Sequence, residues 1–491
     1  MSEGEPDSEL EATYEPELEV TTPAAGLAYE AGAPTRQELR RRTDRDIVRL
    51  AWPAVLSQLL ATSVSVIDLA MLGRVSTEAV VAAGYTSQYY QLAQAALLGL
   101  SVACVALMSR ALGAGDPARA RHAFAASLLL AFVAAIGIAA ASLVFPRAFL
   151  EILGAPPHIV ETAVPYFRFT LGASVFFALA LTIESGFRAA RNTAMPLLIA
   201  TGITVVKLAL NAVLIFGGLG FPRLGLTGAG IATLVSQAVG LSLFFTMTRV
   251  FTGAEAGALR ISRADFAGAR ALLGETARIS WPAAGERILV NSALFIYFRV
   301  LSGYGPSAIA AYTIGVRLLA FSWIAPTGIS IAASTLVGQS LGARDVRLAA
   351  RAGWRAARLS LLVALPMLAV FALLRIPLAE AFTKDPSVIA PLEPFMLLLG
   401  IAQPFLSLHF TLSGALRGAG DTKTPLWSAI FGNWIFRVPL ALFVAHYLHA
   451  DVVWVWATVV FDHVTRAAWL TWSFRRERWA RNVGAGLESG G

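Results

Sequence analysis

Charged side chains are scarce in this sequence. Only 14% of its 491 residues are charged, whereas soluble domains carry about 25%, so the chain has too few of them to cover a soluble protein of this length. The single cysteine, Cys104, excludes an intrachain disulfide bond. Zinc-ligand spacings, a Walker loop, a nucleophile elbow and a dinucleotide-binding loop are also missing. The sequence therefore does not support a metal cofactor, ATP-driven transport or an enzyme.

Long apolar runs recur along the sequence. Hydrophobic residues make up 56% of the chain, and about 20 consecutive apolar residues cross a bilayer as a helix. Twelve such runs predict an all-α polytopic membrane protein with 12 transmembrane helices. The predicted spans are 50–73, 84–109, 122–145, 161–187, 194–217, 227–250, 279–302, 308–337, 354–375, 391–416, 425–447 and 452–473.

Basic residues are distributed unevenly between the loops. They crowd the loops on the side that holds both chain ends, as at Arg344, Arg347 and Arg351, and are few on the other side. The positive-inside rule then places both termini in the cytoplasm and the protein in a bacterial-type inner membrane. Because the net charge of +8 lies in these loops, it does not indicate a nucleic-acid partner. The expected partner is the lipid bilayer.

Composition divides the chain into five segments. Acidic, apolar-poor composition predicts a disordered tail up to about residue 34, followed by a basic juxtamembrane stretch. The predicted segments are the tail and juxtamembrane stretch 1–46, an N-lobe of six spans at 47–251, a cytoplasmic linker at 252–278, a C-lobe of six spans at 279–475 and a cytoplasmic tail at 476–491.

The second half of the chain repeats the first. At a constant offset of 229 in the numbering, the tripeptide that begins at Trp52 recurs at Trp281, and the one at Leu112 recurs at Leu341. Because each unit has an even number of spans, both units enter the membrane from the same side and form two parallel six-helix repeats. Transporters built from parallel repeats hold their sites in a central cavity between the lobes. A duplicated structural bundle without a transport role is the alternative.

The repeat places one proline early in the first span of each half, at Pro53 and Pro282. Each proline removes a backbone hydrogen bond and weakens its helix, so the two are candidate hinges. They can also be prolines of the first helical turn, where no hydrogen bond is lost. Pro53 shares its helix with Asp68, so protonation of the acid can bias the bend.

Asp68 is the lone carboxylate of the first span. Gln58, Thr62 and Ser65 precede it at steps of four, three and three residues, which places all four on one helix face. Interhelical hydrogen bonding explains a serine or threonine there, but an ionisable group within a span is a functional candidate by default. We therefore predict that Asp68 is the coupling acid and that the other three line the substrate cavity.

Three further polar residues lie at a related depth in the same half. Asn211 and Thr233 fall, like Asp68, about 8–9 Å below the outer end of their spans, as a shared proton or cation site requires. Lys207 lies one turn deeper than Asn211. It can be a snorkelling lysine, or a cation that stabilises ionised Asp68 against the effect of burial.

The second half contains ionisable residues of less certain role. Glu286 is a candidate acid for cationic cargo or a partner for Arg317, and Arg437 and Asp462 are predicted to form a buried pair or, alternatively, to contact substrate. His409 is expected to be a packed histidine rather than a proton relay.

Two motifs in the first half, Asp68-Leu-Ala-Met-Leu-Gly-Arg74 and Leu112-Gly-Ala-Gly-Asp116, are followed by Thr335–Ala343 and Arg417–Pro425 in the second. Their order and spacing resemble those of the multidrug and toxic compound extrusion (MATE) family over about residues 45–480. The resemblance implies a proton- or sodium-binding pocket with a first-span acid and Asn and Thr partners. Some relatives have a second acid one turn after the asparagine, where this chain has Ile215. A single carboxylate favours a proton over sodium.

The resemblance and the residues together predict a secondary active antiporter that exports organic cations or drug-like compounds in exchange for protons, or less readily sodium, by alternating access. We expect a monomer whose substrates are small cationic amphipathic molecules. The alternative is a flippase or exporter of a lipid-linked or metabolite substrate. A rim of basic residues that faces the cavity would favour this alternative, and mid-span cations are few in the sequence.

Overall fold

The computed structural model describes residues 36–218, 220–252 and 255–483. The predicted acidic tail and the chain after residue 483 lie outside the described residues. Nearly all of the rest is helical. The N-lobe is formed by α1 (Arg36–Gly73), α2 (Thr77–Gly113), α3 (Pro117–Val144), α4 (Pro146–Ile152), α5 (Pro157–Gly172), α6 (Ser174–Ala189), α7 (Ala194–Phe216) and α8 (Gly225–Val250).

The C-lobe repeats this order. The eleventh span of the chain, Lys423–Tyr447, alternates between α-helical and π-helical turns, and the π-turns are Ile430–Arg437 and Phe443–Tyr447. The other helices are α9 (Asp265–Ser302), α10 (Pro306–Gly342), α11 (Val346–Leu373), α12 (Arg375–Phe382), α13 (Pro386–Gly418), α14 (Lys423–Ala429), α15 (Val438–Leu442) and α16 (Val452–Arg475).

These helices make 12 membrane spans in two lobes, as predicted, with α5 and α6 joined as one span. By length and composition alone, ten helices of the described chain qualify as spans. The other two spans are α9 and α16, which carry charges in their middles, namely Glu286 and Arg287 on α9 and Asp462 and Arg466 on α16. We call the end of the bundle at which α1 begins and α16 ends the proximal end, and the opposite end the distal end.

The sequence offset of 229 holds for the helix boundaries as well. The helices α2, α3, α5 and α7 begin at Thr77, Pro117, Pro157 and Ala194, and their counterparts α10, α11, α13 and α14 all begin at this offset from them. The short helices α4 and α12, which the apolar pattern does not predict, follow the same offset. The two lobes are therefore one fold built twice.

The first span of each lobe starts earlier than predicted, and by the same amount. The helix α1 begins at Arg36 instead of residue 50, and α9 begins at Asp265 instead of residue 279. Both extensions are polar on one side, so an apolar run does not reveal them. Residues 36–46 are therefore helical, and roughly the second half of the predicted linker 252–278 is helix α9.

Asp265 organises the start of α9. Its Oδ2 accepts hydrogen bonds of 2.7 Å from both the backbone N and the Oγ of Ser262, and its Oδ1 accepts one of 3.1 Å from Nε of Arg121 on α3. Burial alone would raise the pKa of Asp265, but the hydrogen bonds from Ser262 and Arg121 outweigh it and hold the pKa below its ordinary value.

We expect Asp265→Ala to destabilise the protein by about 1–2 kcal/mol, because it removes the hydrogen bonds that fix the start of a helix. A lowered pKa means that the stabilisation is complete above the ordinary aspartate value and disappears as the pH falls through the folded-state pKa. In detergent, the difference in melting temperature between wild type and variant should be constant above about pH 5 and shrink below about pH 4. A difference that does not depend on pH in this range would contradict the assignment.

Pro53 and Pro282 lie inside α1 and α9, well beyond the first turn. The alternative that they belong to the first helical turn is therefore wrong, because the helices begin earlier than the apolar runs. Each proline lies within a continuous helix and removes one of its backbone hydrogen bonds. The Oγ of Ser57 donates a 3.0 Å hydrogen bond to the carbonyl oxygen of Pro53. Their role as hinges stays a prediction.

Candidate functional site

Asp68 lies between two polar side chains of α7. Lys207 Nζ is 2.5 Å from Asp68 Oδ2, and Asn211 Nδ2 donates a 2.6 Å hydrogen bond to Asp68 Oδ1. The side chains of Asp68 and Lys207 are 22% and 18% exposed, and Asn211 is buried. Because Lys207 and Asn211 are one turn apart on α7, their side chains meet the same carboxylate. The structure thus brings together three of the four predicted coupling residues.

The fourth residue, Thr233 on α8, is also buried, but its hydroxyl donates a 2.9 Å hydrogen bond to Ala229 within its own helix. The stripe on α1 is partly open. Gln58 and Ser65 are exposed, and the Thr62 hydroxyl donates a 2.9 Å bond to the backbone carbonyl of Gln58. These side chains remain available to a ligand, and their role as cavity residues stays a prediction.

Two tyrosines near Asp68 are not predicted from the sequence. Tyr90 on α2 and Tyr166 on α5 both lie close enough to Asp68 to interact with it electrostatically. Four helices therefore converge on one carboxylate. A tyrosine inside an apolar span needs a partner for its hydroxyl, and this was the available signal. Ile215, the position of the missing second acid, is fully buried in the apolar core of the same lobe.

The helix that carries Asp68 also joins the lobes. Near its proximal end, Ile47 and Leu50 of α1 pack in one apolar cluster with Leu336 of α10 and Phe474 of α16, all in the C-lobe. Near its distal end, α1 is held to the N-lobe by the contacts of Asp68. A change in the charge of Asp68 therefore acts on a helix that both lobes share.

The proximal ends of the lobes meet through a contact that obeys the repeat. A Cβ atom at Gly113 of α2 would lie 2.0 Å from the carbonyl oxygen of Gln339 on α10, and one at Gly342 would lie 2.0 Å from the carbonyl oxygen of Arg110. The offset of 229 relates Gly113 to Gly342 and Arg110 to Gln339, so the two contacts are equivalent in the repeat. Backbones approach this closely only where no side chain intervenes, so the glycines close the proximal end.

Side-chain hydrogen bonds reinforce this closure. Gln339 Nε2 donates a 2.8 Å bond to the carbonyl oxygen of Ala189, and its Oε1 accepts from Nε of Arg191. The Thr335 hydroxyl donates a 3.1 Å bond to the carbonyl oxygen of Arg188. All three bonds cross from the C-lobe to the N-lobe, so the structure has its lobes joined at the proximal end.

Glu286 is paired differently from the sequence expectation. Its carboxylate accepts hydrogen bonds of 2.7 and 2.8 Å from Arg417 Nη2, and Arg466 Nη2 lies 3.7 Å away. The predicted partner Arg317 is thus wrong. Arg317 and Arg417 both lie on C-lobe helices, and the spacing along the chain does not say which of them faces α9. The two arginines also occupy the acid that was a candidate for cationic cargo.

Arg437 and Asp462 form the predicted buried pair, with Arg437 Nη1 3.9 Å from Asp462 Oδ2. The distance is too long for a hydrogen bond, and the Arg437 guanidinium instead stacks 4.3 Å from the ring centre of Tyr297. His409 is buried and stacks on His463, with ring centres 5.1 Å apart. This fits the expected packed histidine.

The fold and these buried ion pairs define a two-lobed polytopic membrane transporter. The family model MatE matches residues 53–213 and 282–443, two stretches whose starts are related by the offset of the repeat. The "Probable multidrug resistance protein NorM" of Bradyrhizobium diazoefficiens is 30% identical over 450 residues, which cover 88% of this chain and 92% of the relative. The "Multidrug resistance protein NorM" of Burkholderia vietnamiensis is 28% identical over 463 residues, or 92% and 97% of the two chains.

Solved structures show the same fold. The crystal structure of the Vibrio cholerae MATE transporter VcmN in the bent form has a TM-score of 0.79 at 21% identity and covers 91% of this chain and 98% of that one. An outward-facing multidrug resistance MATE family transporter has a TM-score of 0.82 at 21% identity, with coverage of 92% and 100%. The chain belongs to the MATE family, so it is a transporter and not an enzyme.

Proposed function

We propose that this protein is a secondary active antiporter that exports drug-like organic molecules in exchange for protons by alternating access. The observation that carries the proposal is the contact of Asp68 with Lys207 and Asn211. An ionisable group is rare inside a span unless it serves transport, and this one lies on the helix that contacts both lobes. The multidrug resistance names of the relatives support a drug-like cargo.

The geometry supplies a way to couple a proton to movement. While Asp68 is ionised, the Lys207 ammonium and the Asn211 amide hold α1 against α7. Protonation removes the negative charge and with it the ion pair, which frees the distal part of α1. The Asn211 Oδ1 has no partner among the described residues, so rotation of the amide lets the same residue accept a hydrogen bond from the neutral acid.

Two features favour a proton over sodium. The Lys207 ammonium already occupies one oxygen of Asp68, where a sodium ion would have to bind. The position of a second acid is the buried apolar Ile215, so the described residues of the site provide no second carboxylate as a hard ligand for sodium. The driving force is adequate, because one charge that crosses 100 mV supplies about 2.3 kcal/mol.

The orientation follows from the charged loops. We propose an inner-membrane protein, active as a monomer, with both termini in the cytoplasm, because the arginine-rich loops lie at the proximal end. The proximal contacts of Gly113 and Gly342 then close the cytoplasmic end. In this orientation, the conformation is closed on the cytoplasmic side.

The contacts of Glu286 do not favour the cationic cargo expected from the sequence. A cationic cargo was the expectation from Glu286, and Arg417 and Arg466 now neutralise that acid. The second candidate function, a flippase or exporter of a lipid-linked or metabolite substrate, gains support from the same arginines where the substrate carries a phosphate or carboxylate group.

Purified protein in vesicles tests the coupling ion. In vesicles loaded with a fluorescent rhodamine ester, we expect an inward proton gradient to accelerate dye efflux, and a sodium gradient at fixed pH to leave it at the rate of protein-free vesicles. Efflux driven by sodium alone would show that the coupling assignment is wrong. Growth of an efflux-deficient strain on a panel of toxic compounds, with and without an uncoupler, would then identify cargo.

A further inference from the structure

The interior of the C-lobe carries more positive than negative charge. Four arginines, Arg287, Arg417, Arg437 and Arg466, face two carboxylates, Glu286 and Asp462. Glu286 is bonded to Arg417 and lies near Arg466, and Asp462 is 3.9 Å from Arg437. When all six groups are ionised, the cluster has two positive charges in excess. Arg287 is exposed, but the other three arginines still outnumber the two carboxylates. Buried charges are ordinarily paired, so the cluster lacks an anionic partner.

The arginines have unused hydrogen-bond donors. Arg437 and Arg466 are buried and the Arg417 side chain is 14% exposed, and the Nε of each of the three has no hydrogen-bond partner among the described residues. Arg466 is only 7% exposed, and it is packed against Gly432, where a Cβ atom would lie 2.5 Å from Arg466 Cγ. The backbone at Gly432 therefore holds the Arg466 side chain in place, with its Nε donor free to bind a ligand.

Arg287 makes this cluster accessible from outside the C-lobe. It lies about 12 Å inside the predicted proximal end of its span, yet its side chain is exposed. Its charged neighbours are Glu286, Arg417 and Arg466, so it belongs to the cluster. A guanidinium exposed to lipid at this depth is costly, which indicates that Arg287 faces the water-filled space between the lobes.

We propose that the C-lobe contains a binding site for an oxyanion of the cargo, a carboxylate or a phosphate, in which Arg287 receives the anion from the cavity and Arg417 and Arg466 stabilise it. Arginine is suited to this task because its planar donors bind carboxylate and phosphate with two hydrogen bonds. The inference deepens the proposed transport function and names the chemical class of its substrate. The cargo is then an amphipathic molecule with an anionic group, rather than a simple cation.

A matched pair of dyes tests the site. A rhodamine with a free carboxylate and the methyl ester of the same dye differ in one negative charge. We expect purified wild-type protein in neutral-lipid nanodiscs to bind the free acid about tenfold more tightly than the ester, as a charge-assisted hydrogen bond provides. Arg287→Gln should remove this preference and leave ester binding unchanged. Because Arg287 is exposed, the variant is expected to fold normally.

The control is Arg299→Gln, which makes the same change to an exposed arginine on the same helix about 18 Å away, and which should keep the preference. Equal affinity of wild type for acid and ester, or equal loss in both variants, would overturn the proposal. The measurement uses no ion gradient, so a failure of proton coupling leaves its result intact, and failure of the binding test leaves coupling untouched.

A second probe distinguishes a drug carboxylate from a lipid phosphate. A short-chain phosphatidic acid and the matching diacylglycerol are added as competitors of the free-acid dye. Stronger displacement by the phosphatidic acid, which Arg287→Gln should remove, would support the site in the form that a lipid-linked substrate requires. Equal displacement by both would restrict the site to carboxylates if the dye preference holds, and would overturn it if the preference is also absent.

Discussion

Asp68→Asn is expected to reduce gradient-driven export to the rate of protein-free vesicles, while cargo still binds. Asparagine has nearly the shape of aspartate and can keep the contact with Asn211, but it neither takes up nor releases a proton. The cargo site that we infer lies in the C-lobe, so binding should change little. Loss of binding together with transport would mean that Asp68 supports the fold or the cargo site instead of the coupling.

A second variant, Lys207→Met, tests the coupling role of Asp68 by a shift in the pH profile rather than by a loss of transport. The substitution takes away the cation 2.5 Å from Asp68, so the ionised carboxylate loses its ion-pair partner. The pH profile of transport should therefore move to higher pH. The variant Lys384→Met, in a loop between α12 and α13, is the matched control and should leave the profile in place.

The double variant decides whether the two residues act through one group. Asp68→Asn with Lys207→Met should behave as Asp68→Asn alone, because the effect of the lysine requires the acid. An unmoved pH profile in Lys207→Met, with normal protein abundance, would remove Lys207 from the mechanism. Asp68 would then stand without an explanation of how this partly buried acid releases its proton.

The second large effect is expected at the proximal contact. Gly113→Leu places a side chain where even a Cβ atom would lie 2.0 Å from the carbonyl oxygen of Gln339, so α2 and α10 cannot approach. Closure of the proximal end should fail, and transport should be lost because alternating access needs both ends to close. Gly342→Leu should reproduce the result, since it lies at the equivalent position of the repeat.

Labelling of a cysteine measures this closure directly. Ser109 is fully buried and adjacent to Gly338 of the other lobe. In a Cys104→Ser background, Ser109→Cys should react slowly with a water-soluble maleimide, and at least about tenfold faster when combined with Gly113→Leu. The control is Gly84→Leu, on the same helix with open space around it. Equal rates for the two leucine variants would contradict the role of the glycine contact.

The sequence predicted spans wherever apolar residues run unbroken, and it failed where helix continues into polar sequence. The starts of α1 and α9 are the main examples, since amphipathic turns at a membrane surface have no long apolar run. The offset of 229 could have revealed both, because Arg36 and Asp265 are related by it. The π-helical stretch Ile430–Arg437 was not predictable, because it depends on how the span packs against Asp462 and its neighbours.

The site was predictable in depth but not in direction. Counting residues from the ends of the spans places Asp68 and Asn211 at the same depth, and in the structure the two side chains are hydrogen-bonded. Which way a side chain points around its helix depends on packing between helices, and this is why Arg417 rather than Arg317 pairs with Glu286. Arg287 was missed for the same reason, since only its exposure distinguishes it from a buried ion-pair partner.

The most direct test of the account is the release of protons when cargo binds to purified protein in weakly buffered detergent solution. If Asp68 is the coupling acid, wild type should release up to about one proton per cargo bound at a pH where Asp68 is largely protonated, because Asp68 is the single carboxylate of its site among the described residues. Asp68→Asn should bind cargo and release none. Equal proton release from wild type and Asp68→Asn would contradict the assignment of Asp68 as the proton carrier.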